Sequence, residues 1–309
     1  MPVVVVEGLR KSYGGVAAVD GLDLTIQSGE VIALLGPNGA GKTTTVEILE
    51  GYRKPDAGTV SVLGMNPQTG GRAFRERIGV VLQEAGFEEQ FSPRELIRLH
   101  AGYYPHPRAV DDVISLVGLE EKADARVRTL SGGQRRRLDL ALGIVGGPEM
   151  LFLDEPTTGF DPSARRKAWD LVDRLRDLGA TILLTTHYLD EAEHLADRVV
   201  VIDHGRIVAQ GTPEQLTASA GLATVISFRL PENVAAGDLP LIGEDLRMAG
   251  TLVEVRTRSA TTDVNTLAAW AVGRGIELES LTLARPSLED VYLDLVKESA
   301  EGEEVQVGS

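Results

Sequence analysis

Several classes of site and segment are missing from this 309-residue sequence. It contains no cysteine, which excludes disulfide bonds, thiolate metal sites and a cysteine nucleophile. No apolar run approaches the roughly 18 residues of a membrane-spanning helix, and the N-terminus lacks the basic and apolar regions of a signal peptide. We therefore expect the chain to be cytoplasmic and any membrane role to depend on a partner.

Basic residues are also scarce relative to acidic ones. The chain has 31 Lys and Arg against 46 Asp and Glu, a net charge of −15. A field of this sign disfavours nonspecific binding to nucleic acids and to anionic lipid headgroups. We therefore predict no nucleic-acid partner.

The length fits a large domain followed by a small one. The character of the chain changes near residue 220, since 221–309 carries 15 acidic and 7 basic residues. We predict a first domain at 1–217, a small α+β domain at 218–298 and an acidic, disordered tail at 299–309. The small domain should contain strands at 224–230, 251–257 and 276–283, and helices near 265–272 and 287–296.

A glycine-rich stretch has the pattern of a phosphate-binding loop. It follows the apolar run 31–35, which suits a buried strand, and leads into a helix, which is the context that such a loop requires. Its glycines let backbone N–H groups turn toward anionic oxygens, and the helix N-terminus adds its positive dipole end. Lys42 supplies charge, Thr43 is placed to coordinate Mg²⁺ between two phosphates, and Thr44 can donate to a third oxygen. The predicted ATP-binding residues here are Gly36, Pro37, Asn38, Gly39, Ala40, Gly41, Lys42, Thr43 and Thr44.

Two acidic residues end the short apolar run 150–153. At the end of a buried parallel strand they would lie beside the phosphate loop. Asp154 would then hold Mg²⁺, usually through water, and Glu155 would be the general base that polarises the attacking water. The alternative is a simple strand exit with helix-capping acids.

Three further polar or aromatic residues have two interpretations each. Tyr13 lies in a predicted loop, and its side chain is either a partly exposed aromatic or a surface on which adenine stacks. Gln83 ends the strand 79–82, where its amide could contact the metal or the water, or could simply be exposed. His187 ends the strand 181–186, and a lone histidine is more often a structural donor than a catalytic one.

A second helix start lies at 130–134, with Ser131 as its N-cap. The two glycines after Ser131 would allow close approach of something anionic, although Ser-Gly-Gly also begins many ordinary helices. The arginines at 135–137 oppose the dipole preference for acids in a first turn. Whether they face phosphate, an acidic partner or water is left open by the sequence.

In this order and spacing, the motifs resemble the ATP-binding subunit of ABC transporters over residues 3 to about 216. The resemblance rests on Gly36–Thr43, Gln83, Leu130–Gln134, Asp154, Glu155, Phe160, Asp161 and His187. It implies an α/β, P-loop NTPase ABC ATPase fold, with a mainly parallel core sheet, an antiparallel β subdomain and a helical subdomain at about 84–146. It also implies that Tyr13 stacks on adenine, that Gln83 contacts the metal and senses a membrane subunit, and that His187 contacts the γ-phosphate. Phe160 stands where the family commonly has Leu, which affects only local packing.

A closer resemblance is to the drug-resistance branch typified by daunorubicin exporters, on the runs 185–193 and 286–292. It implies a Mg²⁺-dependent ATPase that works with a separate integral membrane permease, at the inner face of the cell membrane, on drug, antibiotic or lipid-like substrates. The alternative is a soluble ABC ATPase acting on ribosomes or in assembly. Those acting on ribosomes typically have two ATPase units per chain and those acting on DNA have long coiled coils, and neither is visible here.

The chain has one phosphate loop and one Ser-Gly-Gly helix start. If both bind the same nucleotide, the simplest arrangement is two chains head to tail, with two equivalent ATP sites. We therefore predict an ATP-dependent homodimer. The residues expected to reach the partner chain's ATP are Ser131, Gly132, Gly133, Gln134 and Asp161.

Overall fold

The computed structural model describes residues 1–81, 86–219, 221–231 and 234–295. The chain forms two compact units, Met1–Pro213 with two sheets and Glu214–Ser309 with one, among the described residues. Three predictions lie outside the described residues: the environment of Gln83, the end of the terminal helix at Val296 and the tail at 299–309.

The first unit alternates strands and helices. Its strands are β1 (Pro2–Tyr13), β2 (Val16–Gln27), β3 (Val31–Leu35), β4 (Ala57–Val62), β5 (Ile78–Val81), β6 (Met150–Asp154), β7 (Thr181–Thr185), β8 (Arg198–Asp203) and β9 (Arg206–Gly211). Its helices are α1 (Lys42–Leu49), α2 (Gly71–Arg75), α3 (Pro93–Ala101), α4 (Val110–Leu116), α5 (Gly132–Ile144), α6 (Pro162–Asp177) and α7 (Leu189–Leu195), and α8 (Pro213–Ser219) follows at the boundary.

A six-stranded sheet in the order β5-β6-β7-β3-β8-β9 forms the centre of the first unit. Only the β8–β9 pair is antiparallel among the described pairs. Every residue of β3 and β7 is buried, because helices cover both faces of a parallel sheet and its strands are therefore mostly apolar. The turn between β8 and β9 places His204 and Gly205 at positive φ, which suits a tight hairpin.

A three-stranded antiparallel sheet, β2-β1-β4, accompanies the core sheet. The sequence predicts short strands at 3–6, 16–19 and 22–26, but β1 and β2 are each 12 residues long. Register shifts interrupt their pairing, so the strands continue through positions where the apolar alternation breaks. As a result Tyr13 is the last residue of β1, paired with Val16, and not a loop residue as predicted.

Helices dominate the segment 92–144. Helix α3 begins with Ser92 as its N-cap and Pro93 in its first turn, and Glu95 completes a capping box. Helix α5 begins in the same way with Ser131 and Gln134. This block supplies the helical subdomain of the predicted fold.

The second unit is built on the antiparallel sheet β11-β12-β10-β13. Its elements are β10 (Thr224–Arg229), β11 (Asp245–Ala249), β12 (Leu252–Thr257), α9 (Ala260–Arg274) and β13 (Glu279–Ala284), and residues 288–295 are helical. Phe228, Val255 and Leu267 are fully buried in its core. The sequence analysis did not identify β11, an exposed edge strand whose five residues include Asp245 and Arg247.

Candidate active site

The core sheet brings three predicted sites to one edge. Strand β7 lies between β6 and β3, and all three run parallel. The phosphate loop follows β3, Asp154 ends β6, and His187 comes two residues after β7. Ligands of open α/β sheets bind outside the carboxyl ends of the strands, so these groups share the position where a ligand is expected.

The phosphate loop requires glycine at two positions because other backbone lies close by. A Cβ on Gly36 would stand 2.1 Å from the Ile202 carbonyl oxygen, and one on Gly41 would stand 2.1 Å from that of Ala18. Gly41 also has a φ of 102°, and it caps α1 without a side chain. The first-turn N–H groups of α1 therefore remain directed toward the loop.

Lys42 lies across this loop. Its Nζ donates to the carbonyl oxygens of Gly36, at 2.8 Å, and Pro37, at 3.0 Å. Partial burial lowers the pKa of Lys42, while the charges of Glu155 and Asp154 act in the opposite direction. The ammonium is thus set between the loop and the two carboxylates.

Asp154 has one carboxylate oxygen engaged within the chain. Its Oδ1 accepts a hydrogen bond from the Thr185 hydroxyl at 2.5 Å. Across the described residues, no three His, Asp or Glu side chains converge as a complete metal cage. One carboxylate together with the exposed Thr43 hydroxyl fits the needs of Mg²⁺, because this ion takes one or two protein oxygens and completes its shell with phosphates and water.

Glu155 stands in a strained backbone conformation at the site. Its φ of 46° lies in the left-handed region, which non-glycine residues seldom adopt. The Glu155 N–H donates to both the carbonyl and the hydroxyl of Thr185, each at 3.1 Å. Its Oε2 accepts from the Thr158 hydroxyl at 3.0 Å and lies 3.4 Å from Nδ1 of His187. Two of the three predicted catalytic residues are therefore adjacent.

His187 is held against an aromatic neighbour that the sequence analysis did not select. The ring centroids of His187 and Tyr188 are 4.1 Å apart. The Arg165 guanidinium lies 3.9 Å from the centroid of the Tyr188 ring. Arg165 in turn pairs with Asp190 at 3.1 Å. These contacts join α6 to the segment that carries His187.

Glu191 is a buried carboxyl group close to the same segment. The Trp169 indole N–H donates to its Oε1 at 3.0 Å. Burial raises the pKa of Glu191, and the hydroxyls of Thr186 and Thr157 oppose that shift together with Trp169. A single glutamate within a helical pattern does not reveal from the sequence that its side chain is buried and hydrogen-bonded in this way.

Tyr13 presents a partly open ring at the end of β1. It is 41% exposed, and Lys11 Nζ and the Arg53 guanidinium lie 5.5 Å and 5.3 Å from its centroid. Arg53 also contacts Glu47 of α1 through a 2.5 Å pair. The tyrosine is thereby connected to the helix that follows the phosphate loop.

Ser131 forms a capping box at the start of α5. Its Oγ accepts from the Gln134 N–H at 3.3 Å, and its own N–H donates to Gln134 Oε1 at 2.9 Å. Gly132 and Gly133 have no positive φ, and a Cβ on either would meet nothing within 4 Å among the described residues. Their glycine identity is therefore not required by the fold of this chain.

Asp161, the remaining residue predicted to reach a partner's ATP, also caps a helix. Its exposed carboxylate accepts from the N–H groups of Ser163 and Ala164, both at 2.9 Å, at the start of α6.

The three arginines after Gln134 have partners within the chain. Arg135 donates to the Arg128 carbonyl at 3.3 Å, and Arg137 donates to the Gly118 carbonyl at 2.6 Å. Arg136 is buried and donates to carbonyl oxygens that follow β6. The sequence left phosphate, an acidic partner or water as alternatives for these side chains, and the structure shows backbone carbonyls together with carboxylates of the same chain, Glu89 for Arg135 and Asp139 for Arg136.

A groove of about 1000 Å³ opens between α1, α3 and α5. Tyr52, which is 81% exposed, and Leu99 contribute apolar surface to it. Glu50 also lines the groove, and its carboxyl group has no hydrogen-bond or ion-pair partner among residues 1–81, 86–219, 221–231 and 234–295. Burial, with the charges of Asp154 and Glu47, raises the pKa of Glu50 to about 8.

Comparison with known families matches both units. Residues 19–158 match the family model described as ABC transporter, and residues 224–287 match an ABC transporter domain-containing protein-like C-terminal domain. In the part of the chain that the structure describes, no helix has the length and apolar character to cross a membrane.

Two curated relatives resemble the chain over most of its length. The daunorubicin resistance ATP-binding protein DrrA3 of Streptomyces coeruleorubidus is 40% identical, over 96% of this chain and 98% of its own. The Nod factor export ATP-binding protein I of Ralstonia nicotianae is 45% identical, over 70% of this chain and 68% of its own.

Solved structures agree on the fold of the first unit. An ATP-binding subunit of an ABC transporter superposes with a TM-score of 0.65 at 26% identity, covering 71% of this chain and 93% of that one. The protein cbiO1 of Clostridium perfringens, part of the ABC transporter complex cbiONQ, superposes with a TM-score of 0.64 at 32% identity, covering 70% and 91%. The predicted ABC ATPase fold is thereby confirmed.

Proposed function

The chain belongs to the ABC transporter family of ATP-binding proteins, and from this membership we propose that it hydrolyses MgATP to power a separate membrane exporter. One observation carries the proposal: Lys42, Asp154, Glu155 and His187 converge at one edge of the core sheet. Relatives named for daunorubicin resistance and for Nod factor export support a drug or lipid-like substrate.

The phosphate loop and its surroundings would bind the nucleotide. Backbone N–H groups of 38–44 and the Lys42 ammonium would hold the phosphates, and Tyr13 would stack on adenine. Thr43, Asp154 and the predicted ligand Gln83 would hold Mg²⁺. When bound, this ion would supply positive charge that neutralises the charge developing in the reaction.

Glu155 would be the general base for water attack. Its Oε2 is restrained by the Thr158 hydroxyl and lies beside His187, so the carboxylate has a defined direction at the carboxyl end of β6. A base must lie within hydrogen-bond reach of the proton that it accepts. His187 would contact the γ-phosphate from the adjacent strand end.

A second copy of the chain would complete each ATP site. Gly132 and Gly133 are the first two residues of α5, directly after the Ser131 cap. Open space around both positions fits the close approach of another molecule better than a demand of the chain's own packing. In the head-to-tail dimer that molecule is the partner's ATP, contacted by the segment 131–134 and by Asp161.

The groove beside α1 would receive the membrane permease. We commit to a cytoplasmic segment with apolar residues and one Lys or Arg, because Tyr52 and Leu99 offer apolar surface and the Glu50 carboxyl group has no charged partner within the part of the chain that the structure describes. A cation at Glu50 would favour its charged form and recover the cost of burial. In this proposal the chain works at the inner face of the cell membrane, held there by its partner.

The decisive experiment uses Glu155→Gln alone and together with Ser131→Arg. The amide keeps the shape of the side chain but cannot accept a proton, so turnover should fall roughly 10²- to 10⁴-fold while ATP still binds. Unhydrolysed ATP should then hold two chains together in gel filtration. Adding Ser131→Arg should abolish this dimer and preserve ATP binding to the chain's own loop.

Two outcomes would overturn the shared-site mechanism. One is an elution position of Glu155→Gln that does not depend on MgATP, and the other is a double variant that dimerises as well as the single one. The permease proposal has its own test, in which solubilised native membranes are passed over the immobilised chain. An integral protein retained by the parent chain and lost with Glu50→Lys is expected, and equal retention by both would contradict the groove assignment.

A further inference from the structure

Arg136 makes an unusual set of contacts one helical turn beyond the start of α5. Its side chain is only 10% exposed. Nη2 donates to the carbonyl oxygens of Asp154, at 2.7 Å, and Glu155, at 3.0 Å, and Nε donates to that of Pro156 at 3.1 Å. The rigid fork of a guanidinium carries five N–H donors, so one side chain can hold three successive peptide groups.

The peptide groups that Arg136 holds form the strained turn of Glu155. A non-glycine residue at a φ of 46° persists only where its surroundings fix it. On one side of the turn, the carbonyl and hydroxyl oxygens of Thr185 accept hydrogen bonds from the Glu155 N–H. On the other side, Arg136 binds the carbonyl of Glu155 and the carbonyls of both its neighbours. These two sets of contacts together fix the direction in which the Glu155 side chain leaves the backbone.

The buried ion pair of Arg136 is not explained by stability alone. Nη1 pairs with Asp139, also 10% exposed, at 3.0 Å. Burial raises the pKa of Asp139 to about 6 and lowers that of Arg136, which shows that both charges lose solvation here. Buried pairs are often no more stable than apolar replacements. An apolar pair, however, could not donate to the three carbonyls.

We propose that Arg136 is a positioning residue for Glu155, acting from the same helix whose first residues face the partner's ATP. This inference rests on the proposed function, which gives Glu155 and Ser131 their roles. In the head-to-tail dimer, α5 would then connect the two ATP sites. Ser131 would contact one nucleotide, and Arg136, five residues later, would hold the base that acts on the other.

The test compares Arg136→Gln/Asp139→Asn with Arg135→Gln. The first variant removes both buried charges together, so neither is left uncompensated. Because misplacement of a catalytic group by about 1 Å can cost 10²-fold, kcat should fall by about 10- to 100-fold, with KM for MgATP changed less than about twofold. Arg135→Gln removes a more exposed arginine from the same helix and should retain the parent kcat and KM.

A double-mutant cycle distinguishes positioning from an independent effect. In the Glu155→Gln background, the carboxylate that Arg136 would position is already absent. Adding the paired change should therefore lower the residual turnover by less than about twofold and leave the MgATP-dependent dimer intact. The proposal would be overturned if the losses in turnover from the paired change and from Glu155→Gln multiplied, or if the combined variant lost the MgATP-dependent dimer. A paired variant with a raised KM at constant kcat, or with an unchanged kcat, would also overturn it.

A conservative variant keeps the test valid if the paired variant is unstable. Arg136→Lys retains the charge beside Asp139 but cannot hold three carbonyls, so an intermediate kcat is expected. A kcat equal to that of the parent would contradict the role given to the three guanidinium–carbonyl contacts. If Glu155→Gln itself retains full turnover, the base assignment of the proposed function fails instead, whatever Arg136 does.

Discussion

Replacing Lys42 by alanine should weaken MgATP binding without unfolding the chain. Within the chain, Nζ donates to two loop carbonyls, at 2.8 and 3.0 Å. Binding exchanges these neutral acceptors for phosphate oxygens, and a hydrogen bond to a charged group contributes about 1.5–3 kcal/mol. The net loss in Lys42→Ala should be of that order, or roughly 10- to 150-fold in Kd.

Isothermal titration calorimetry with MgATP measures this loss directly. Lys54→Ala is the matched control, since it removes an exposed lysine from the turn after α1 and should bind like the parent chain. Melting followed by circular dichroism checks the fold. An unchanged Kd for Lys42→Ala, or an equal loss in Lys54→Ala, would refute the assignment of the phosphate loop.

Three further predictions address adenine, the second unit and pH. Tyr13→Ala should weaken ATP binding roughly 5- to 150-fold and leave the affinity for inorganic tripolyphosphate unchanged, and a parallel loss for both ligands would exclude stacking. A chain ending at residue 217 should bind MgATP with the parent Kd, because the predicted ATP contacts precede that point; loss of binding in a folded truncation would show that the boundary is misplaced. Burial raises the pKa of Glu50 from 4.5 to about 8, so the folded chain retains a proton that the unfolded chain loses, and the free energy of unfolding should fall as pH rises through that window. Glu50→Gln should remove this fall, so the melting temperature of the variant should exceed that of the parent by more at pH 8 than at pH 5. An equal difference in melting temperature at the two pH values would contradict the prediction.

The phosphate loop and the acids after β6 could be located from sequence because each is a local pattern. An apolar run of five residues followed by polar groups marks a buried strand and its end, and parallel pairing then brings such ends to one edge. The roles assigned to Tyr13, Ser131 and His187 remain predictions, although the geometry now defines how each can be tested.

Other features depended on contacts that a local pattern cannot contain. Arg136 binds carbonyls 18 to 20 positions away along the chain, and its helical position does not reveal where the guanidinium ends. The edge strand β11 is only five residues long and all of them are exposed, so its short polar–apolar alternation marks no buried face. The register shifts in β1 and β2 break period two, which is why the sequence indicates shorter strands there.

The charges of the site are held chiefly by neutral partners, and this affects nucleotide binding. Lys42 donates to carbonyls, and Asp154 accepts from the Thr185 hydroxyl. Among the described residues, no ion pair joins Lys42 to Asp154 or Glu155, although their charges favour its ammonium form. A direct ion pair with either carboxylate would compete with phosphate for the ammonium. Carbonyl partners keep the ammonium charged and oriented at lower cost, so phosphate can replace them with a net gain. The arrangement therefore favours a loop that is ready to bind anions before the nucleotide arrives.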